Sequence, residues 1–434
     1  MQEDCTKQGG MTYFYSGANQ SYTYYAISNP NDCEKVANSC TEKVFLLEDS
    51  LQAFFGQALA TTTVPDWEKR RTLMEPMFDA ASARTGVWNR HAKILVEELE
   101  SKVGKGFFDQ TECLQNAAMG ILLKSTYGDI EDELQSIASH KTCMQETMDV
   151  LYERHRSFMK HKTFIFRLSR LKRRQDACVR TMKALTNELI TMKRVEFKKK
   201  SASETLLDFL LGLEIQGVSS EKNTVDDIHG IIFGGYSTLV NSLTFILVMI
   251  GSNPEVQERV YTEIQNVLSD STREVKMDDL NNFIYLHAVI LEVLRLYPVV
   301  SILTRKTKNS MDLSKYSIDP GSNCLLFIHA MNRHHSWGAE REAFKPERWL
   351  DGSSRPPYAT FGLGRRSCIG MKLALSSMKV ILIHLLRDYK VIADIKKLVI
   401  KQELLLTPVS GHYIALERRS KTLSSSFQPQ DVHC

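Results

Sequence analysis

The residues best suited to chemistry lie in a short glycine-rich segment around Cys368. The segment reads Phe361-Gly-Leu-Gly-Arg-Arg-Ser-Cys368-Ile-Gly370, and a helical pattern of apolar residues follows it from Ile369 to Leu386. Glycines permit backbone angles and close approaches that a β-carbon would block. A helix N-terminus beside Arg365 and Arg366 favours a thiolate over a thiol. A thiolate held in this way serves as a nucleophile or as a metal ligand.

Metal ligation is the favoured role for this thiolate. A nucleophilic cysteine needs a base, and the sequence has no cysteine-protease signature with a matched histidine and asparagine. Most isolated cysteines are inert and buried, but packing alone does not explain three glycines and two arginines within ten residues. We therefore predict that Cys368 binds the metal of a cofactor.

Composition places the chain among soluble globular proteins. Of the 434 residues, 43% are apolar and 24% are charged, which excludes disordered and fibrous chains. The formal net charge of +4 is too small to make nucleic acid the expected partner. The nine cysteines are odd in number, widely spaced and without a CxxC pair, which excludes a zinc ribbon and favours a reducing compartment.

Local patterns predict mainly helices with strands near both ends. Residues 21–30 read as a strand and residues 43–200 as mostly helical, while residues 387–419 alternate into strand-like pieces. Asn253 and Pro254 indicate the start of a helix. From Leu325 onward the chain is expected to be irregular.

The cysteine segment resembles the haem-binding loop of the cytochrome P450 family. The residues at the family's cofactor positions are Phe361, Gly364, Arg366, Cys368 and Gly370. The resemblance covers nearly the whole chain, and it implies a mainly α fold with a small β region and a haem b whose iron is bound by Cys368. It also implies one domain over residues 1–419, with a β-rich part at about 10–35, before a polar tail at 420–434 that we expect to be disordered.

Two further motifs occur in the family's order. Glu292-Val-Leu-Arg295 resembles its E-x-x-R, and Phe344-Lys-Pro-Glu-Arg348-Trp resembles its P-E-R-F element. Glu292 and Arg295 share one face of an apolar helical run, where a buried pair needs a further partner. We expect Arg348 to be that partner in a buried structural network. The alternative is a single exposed ion pair.

Further cations are expected to hold the haem carboxylates. Trp67-Glu-Lys-Arg-Arg71 resembles the family's W-x-x-x-R, which places an indole N–H and a guanidinium one turn apart. The resemblance assigns the same role to Arg305 and Arg366. A buried dianionic cofactor requires such cations.

The uncharged stretch from Gly230 to Pro254 is long enough to span a membrane. Its polar residues and glycines favour instead a helix buried inside the protein. The stretch resembles the family helix that crosses the haem, whose A/G-G-x-D/E-T motif stands here as Gly234-Gly235-Tyr236-Ser237-Thr238. The resemblance implies that the glycine pair opens room over the haem.

The resemblance assigns catalytic roles to Thr238 and to the position of Ser237. The Thr238 hydroxyl is expected to hydrogen-bond dioxygen or a relay water, whereas Ser237 replaces the acid that helps to deliver protons. Phe233 and Tyr236 are assigned to the substrate pocket from their helix position alone.

The implied reaction inserts one oxygen atom from dioxygen into an apolar small molecule, such as a sterol or a fatty acid. NADPH is expected to supply electrons through a separate reductase, since no phosphate-binding glycine fingerprint follows a strand. The missing acid at Ser237 keeps open a P450-fold isomerase or dehydratase that acts on peroxides without a reductase. A second alternative is a membrane-spanning protein whose cysteine loop is incidental.

The expected location rests on the resemblance. The N-terminal residues show neither the basic nor the apolar segment of a signal peptide or anchor, so the endoplasmic reticulum membrane is implied by the family alone, and the cytoplasm otherwise. Between Arg154 and Arg174 lie nine basic residues and no acidic one. Such a run is usually a solvated helix face, but it also suits an anionic membrane surface or an acidic protein.

Overall fold

The computed structural model of the chain is mainly helical, with small sheets at one side. It describes residues 11–16, 22–44, 48–81, 84–156, 163–197, 205–269, 273–352 and 354–419. The predicted polar tail at 420–434 lies outside this part, as do Ser21 and residues 157–162 of the basic run.

The helices follow one another through most of the chain. Their bounds are α1 Pro30–Ser39, α2 Glu48–Phe55, α3 Asp66–Ala81, α4 Thr85–Glu100, α5 Thr111–Tyr127, α6 Glu133–Arg156, α7 Thr163–Leu168, α8 Arg170–Phe197, α9 Leu206–Ile215, α10 Glu221–Gly251, α11 Pro254–Leu268, α12 Ile284–Leu296, α13 Ile328–Met331 and α14 Met371–Asp388. The strands are β1 Met11–Ser16, β2 Tyr22–Ile27, β3 Ile302–Lys306, β4 Met311–Asp312, β5 Ser317–Ile318, β6 Asn323–Phe327, β7 Tyr389–Ile392, β8 Val399–Gln402, β9 Leu406–Ser410 and β10 Ala415–Arg418.

The largest sheet joins the N-terminus to the second half of the chain. Its strand order is β1-β2-β6-β3, with β2 parallel to β6 and the other pairs antiparallel. The irregular loop expected from Leu325 begins later in the chain, because β6 continues to Phe327 and α13 to Met331. Leu325 and Leu326 are buried there between strands that are distant in sequence.

The start of α11 corrects a detail of the sequence analysis. The helix begins at Pro254, as predicted, because proline suits the first helical turn. Asn253 does not cap it through its side chain. Its amide instead donates to the carbonyl of Met249 at the end of α10, at 2.7 Å.

Helix α10 is the long apolar helix that the sequence analysis weighed as a membrane span. Within the described ranges it is the one helix whose length and hydropathy would suit such a span, and 61% of its most apolar stretch is buried inside the protein. Its 31 residues begin at a cap in which the side chain of Ser220 accepts a hydrogen bond from the N–H of Asn223. Helix α10 is therefore a central helix of the fold.

The two adjacent glycines of α10 have different surroundings. A β-carbon on Gly234 would meet nothing within 4 Å. A β-carbon on Gly235 would lie 2.5 Å from Cδ2 of Leu122, because α10 packs closely against α5. Gly235 therefore permits the close approach of α10 and α5.

We predict that substitution by alanine changes the free energy of unfolding in opposite directions at Gly234 and Gly235. Gly235→Ala should lower the free energy of unfolding by about 1–3 kcal/mol, since the new methyl group overpacks the contact with Leu122. Gly234→Ala should raise it by up to about 1 kcal/mol, because alanine is the better helix former. Thermal unfolding followed by circular dichroism measures both, and equal effects would contradict this account of the helix contact.

Candidate cofactor site

A largely apolar cavity of about 400 Å³ lies between α10, α3 and the cysteine segment. The predicted cofactor residues on its wall are Trp67, Arg71, Phe361, Arg366, Cys368 and Gly370. These residues come from α3 and from the segment before α14, which are about 300 residues apart in sequence. The fold therefore brings the two motifs to one site.

The cysteine segment holds Cys368 directly before α14. The backbone N–H of Cys368 donates to the carbonyl oxygen of Phe361 at 2.7 Å, which closes the segment into a tight loop. Gly364 has φ +65°, and a β-carbon there would lie 2.6 Å from the carbonyl oxygen of Ala37 in α1. Glycine is therefore needed for the loop to pack against α1.

The thiol of Cys368 is exposed to the cavity but surrounded by protein. This burial raises the pKa of the thiol, while the backbone N–H of Gly370 and the positive charges of Arg71 and Lys43 oppose the rise. The arrangement supplies partial stabilisation of a thiolate. A bound metal cation supplies the remainder, because a coordinating thiol loses its proton.

Arg366 lies at the edge of the cavity and stacks on an aromatic ring. Its Nε donates to the carbonyl of Thr41 at 2.8 Å, Nη2 donates to the carbonyl of Thr62 at 3.3 Å, and the guanidinium lies 3.9 Å from the ring centre of Trp67. Nη1 is buried without a hydrogen-bond partner. Burial, reinforced by Arg305 and Arg71, lowers the pKa of Arg366 to about 9.

Arg305 is more deeply buried, with 1% of its surface exposed. Its Nη1 and Nη2 donate to the carbonyls of Thr304 and Leu363, at 2.8 and 3.3 Å, whereas Nε is buried without a partner. Burial lowers the pKa of this guanidinium to about 10. Neither Arg305 nor Arg366 forms an ion pair within the described chain.

Lys43 is a cation of the cavity wall that the sequence analysis missed. Its Nζ donates to the carbonyl of Ala60 at 3.3 Å. Burial lowers the pKa of Lys43 to about 7, with further lowering by Arg366 and Arg305, while Cys368 raises it. Lys43 belongs to no recognisable motif, so no signal in the sequence marked it.

These groups fit haem. Within the described ranges no group of three or more His, Cys, Asp or Glu side chains is placed to hold a metal ion. A metal bound at the predicted ligand Cys368 would therefore need its other ligands from a prosthetic group. The unpartnered guanidinium N–H groups of Arg305 and Arg366 need anionic acceptors. A flat apolar metal complex with carboxylates at one edge meets all these requirements.

Helix α10 contributes Phe233 and Thr238 to the cavity wall. The hydroxyl of Thr238 donates to the carbonyl of Gly234 at 2.6 Å. Ser237 is half-buried, does not line the cavity, and its hydroxyl has no hydrogen-bond partner among the residues that the structure describes. Its short side chain does not reach the space that Thr238 faces.

The assignment of Tyr236 to the pocket is wrong. At 100° per residue, Tyr236 lies roughly 200° around the helix from Gly234, which faces the open space. Tyr236 is buried in the hydrophobic core instead. Burial raises the pKa of its phenol. Helical periodicity, applied from Gly234, would have separated Tyr236 from the cavity-facing residues.

Glu292 is the centre of a buried network behind the site. Its carboxylate is fully buried and accepts five hydrogen bonds at 2.8–3.0 Å. The donors are Nε and Nη2 of Arg295, the backbone N–H of Lys345, Nε of Arg348 and Nε1 of Trp349. Burial alone raises the pKa of Glu292, but these hydrogen bonds and Arg295 outweigh it and lower the pKa.

The network reaches the cysteine segment through the backbone. Arg295 Nη1 donates to the carbonyls of Asn332 and Arg341, both at 2.7 Å. The side chain of Asn332 donates to the hydroxyl of Thr360 at 3.2 Å, and Thr360 donates to the carbonyl of Leu294 at 2.7 Å. Thr360 directly precedes the cysteine segment, so α12 and the loop that leads to Cys368 are held together.

Comparisons with known proteins identify the same family throughout. The sequence profile of cytochrome P450 matches residues 11–415. Cytochrome P450 4c21 of Blattella germanica is 28% identical over 419 residues, which cover 91% of this chain and 83% of that protein. Cytochrome P450 4V2 of Rattus norvegicus is 29% identical over 399 residues, covering 85% and 75%.

The fold is also similar to a solved structure. The crystal structure of a cytochrome P450 superposes with a TM-score of 0.82 at 19% identity, covering 96% of this chain and 93% of that one. This similarity confirms the predicted mainly α fold with a small β region.

We predict that the Glu292 network is necessary for folding. Arg295→Ala should lower the free energy of unfolding by about 3–5 kcal/mol, because it leaves the buried carboxylate without its main partner. The matched control is Arg259→Ala, which removes an exposed pair with Glu347 and should cost at most about 1 kcal/mol. Denaturant unfolding compares the two; similar losses would show that the network is no more important than a surface ion pair.

Proposed function

The chain belongs to the cytochrome P450 family of haem monooxygenases, and from this premise we propose that Cys368 is the thiolate ligand of its haem iron. The supporting observation is the cavity whose wall holds both the Cys368 thiol and Arg366, a guanidinium with a buried, unpartnered N–H group. Arg305 lies behind this wall, where it donates to the carbonyl of Leu363 and keeps a second unpartnered N–H group. When bound, haem supplies the iron chemistry that activates dioxygen for insertion into a C–H or double bond.

The chain's own residues hold the haem in a fixed orientation. The Cys368 thiolate donates electron density to the metal. The guanidinium groups of Arg305 and Arg366 and the ammonium of Lys43 bind the carboxylates, together with the indole of Trp67. Arg71 contributes indirectly as well, because its Nη1 donates to the carbonyl of Ser367 at 2.7 Å and so braces the residue before the ligand.

Proton delivery in this chain depends on a hydroxyl without a neighbouring acid. The proton of the Thr238 hydroxyl is directed to the carbonyl of Gly234, so its oxygen is available to accept a hydrogen bond from a relay water. Ser237 has no carboxyl group that could replace a proton after the relay has delivered it. This observation favours a second candidate function, an isomerase or dehydratase that acts on peroxides and needs no proton relay or reductase.

The apolar cavity wall supports a proposal for the substrate class. Phe233 lines the cavity, with its ring packed against the buried Phe55 at a centroid distance of 4.2 Å. The apolar side chains of Leu122, Met148 and Leu206 line further parts of the wall. Burying the apolar groups of a ligand against such a surface is favourable, because both surfaces are removed from water. We propose a lipid substrate of the sterol or fatty-acid class.

Electrons are proposed to come from NADPH through a separate reductase that docks behind Cys368. Arg365 and Lys372, on either side of Cys368, are 62% and 69% exposed in their side chains. They pair with Glu68 and Asp79 of α3 at 2.9 and 2.6 Å. Exposed cations at this face suit an acidic protein surface, whose approach they would steer.

The endoplasmic reticulum membrane surface is the proposed location, with the region around α7 in contact with lipid. Phe164 and Leu168 of α7 are 74% and 73% exposed, beside the exposed Arg167 and Arg170. Exposed aromatic and aliphatic side chains between arginines suit an anionic bilayer interface.

Two arginines of the basic run have partners inside the protein instead. Arg154 is buried, with its guanidinium 3.9 Å from the ring centre of Phe166. Arg174 pairs with Glu146 and Glu153 at 2.7 and 2.8 Å. Only the exposed basic residues between Arg154 and Arg174 are therefore proposed to contact the membrane.

We predict that Cys368→Ala abolishes the thiolate-type band of the reduced carbon monoxide complex, since no other cysteine in the described part of the chain lines the cavity. The matched control is Cys113→Ala, which removes a half-buried thiol of α5 that does not line the cavity. The control should keep the band. A normal thiolate band in Cys368→Ala would assign the ligand to another residue.

We predict that an acid at position 237 improves coupling. Ser237→Asp should raise the product formed per NADPH consumed, with a lipid substrate and added reductase, because a carboxylate renews the relay proton. Ser237→Ala is the matched control and should leave the ratio unchanged. A ratio in Ser237→Asp that stays equal or falls would remove the relay argument, and product from a hydroperoxide without NADPH would favour the isomerase.

A further inference from the structure

Two adjacent carboxylates near the start of α10 bind the backbone of the loop after α2. Oδ2 of Asp226 accepts a hydrogen bond from the N–H of Gln57 at 2.8 Å, and Oδ1 of Asp227 accepts one from the N–H of Leu59 at 3.0 Å. Both aspartates are buried, at 5% and 3% exposure. The two carboxylates therefore hold Gln57 and Leu59 in the segment 56–62.

Arg70, which directly precedes Arg71 in the segment Trp67–Arg71, completes this arrangement. Arg70 of α3 forms an ion pair with Oδ2 of Asp227, and its Nη1 donates to the carbonyl of Gln57. Gly56 has φ +53°, and a β-carbon there would lie 2.2 Å from Oδ2 of Asp226. We call Arg70, Asp226 and Asp227 the clamp; it joins α10, α3 and the segment 56–62.

Stability alone is a poor explanation for the clamp. Burial raises the pKa of Asp227, which Arg70 and the N–H of Leu59 oppose, and the neighbouring charge of Asp226 raises it further. Two adjacent buried carboxylates, of which only Asp227 pairs with an arginine, are costly, and apolar residues often replace a buried ion pair without loss of stability. A positioning role is the better reason for these three charges.

The segment that the clamp fixes also contacts the cations of the cofactor site. The carbonyl of Ala60 accepts the hydrogen bond from Lys43, at 3.3 Å, and the carbonyl of Thr62 accepts one from Arg366, also at 3.3 Å. Ala60 directly follows Leu59, whose N–H is bound by Asp227. The clamp is thus one residue away from the acceptor of Lys43.

We propose that Arg70, Asp226 and Asp227 are positioning residues for the haem: they hold the segment 56–62 so that its carbonyls orient Lys43 and Arg366 toward the haem carboxylates. The inference rests on the proposed role of these two cations in haem binding. It goes beyond that role because the three clamp residues act through the backbone of the segment 56–62, although Asp227 also lies on the cavity wall.

The experiment compares haem release from the loaded enzyme and from clamp variants. Asp227→Asn should speed the transfer of haem to excess apomyoglobin about tenfold, equivalent to the loss of roughly one charged hydrogen bond. Amide hydrogen exchange of residues 56–62 should rise in the same variant, while exchange in α14 stays unchanged. The matched control, Glu221→Gln, removes an exposed charge from the same helix and should alter neither measurement.

A double variant tests whether the clamp acts through Lys43. In a Lys43→Met background, Asp227→Asn should have a smaller further effect on haem release, because only the contact of the Thr62 carbonyl with Arg366 is left for the clamp to act through. A purely structural clamp would speed release by the same factor in both backgrounds, which would overturn the inference. If Asp227→Asn does not fold, Arg70→Gln weakens the same ion pair from α3 and is measured in its place.

The outcomes separate this inference from the proposed function. Faster amide exchange in residues 56–62 without faster haem release would overturn the positioning role and leave haem binding intact. A wild-type protein that binds no haem at Cys368 would overturn the proposed function itself, whatever the clamp variants do.

Discussion

Buried positive charge without a carboxylate partner is the constraint on which the functional account depends. Arg305 and Arg366 each keep a buried N–H group without an acceptor, and neither is paired with an acid in the described chain. Desolvating a guanidinium is costly unless an anion compensates it. Arg366 lines the cavity that also holds the Cys368 thiol, and the ionised form of this thiol needs a cation. One ligand that carries both a metal and carboxylates satisfies both demands.

The placement of Cys368 in turn depends on a carboxylate that never touches the cavity. Glu292 accepts five hydrogen bonds, so its oxygens use essentially their full capacity, and its donors lie on α12 and on the loop at 345–349. Through Arg295, Asn332 and Thr360 this loop is tied to the start of the cysteine segment. A rigid buried network of this kind explains how a short glycine-rich loop keeps one orientation.

Residues that act within a short motif were predictable, and residues that act across the fold were not. The cysteine segment and the i, i+3 pair Glu292–Arg295 concentrate unusual residue types in a few positions. Lys43, by contrast, stands in ordinary polar sequence and gains its role only because segment 56–62 and Arg366 surround it. β6 was missed for a similar reason, since its partners β2 and β3 lie elsewhere in the chain and strand preference depends on them. Tyr236 was misassigned because a motif gives the position of a residue but not the side of the helix that it faces.

The most direct test compares haem with its dimethyl ester, in which both carboxylates are neutral. Each is titrated into the apoprotein, and binding is followed through the absorbance of the cofactor. If the buried cations select the cofactor by its carboxylates, haem should bind at least about a hundredfold more tightly than the ester, as the loss of two charged hydrogen bonds requires. Equal affinities for haem and its ester would contradict the central claim that these cations hold the haem.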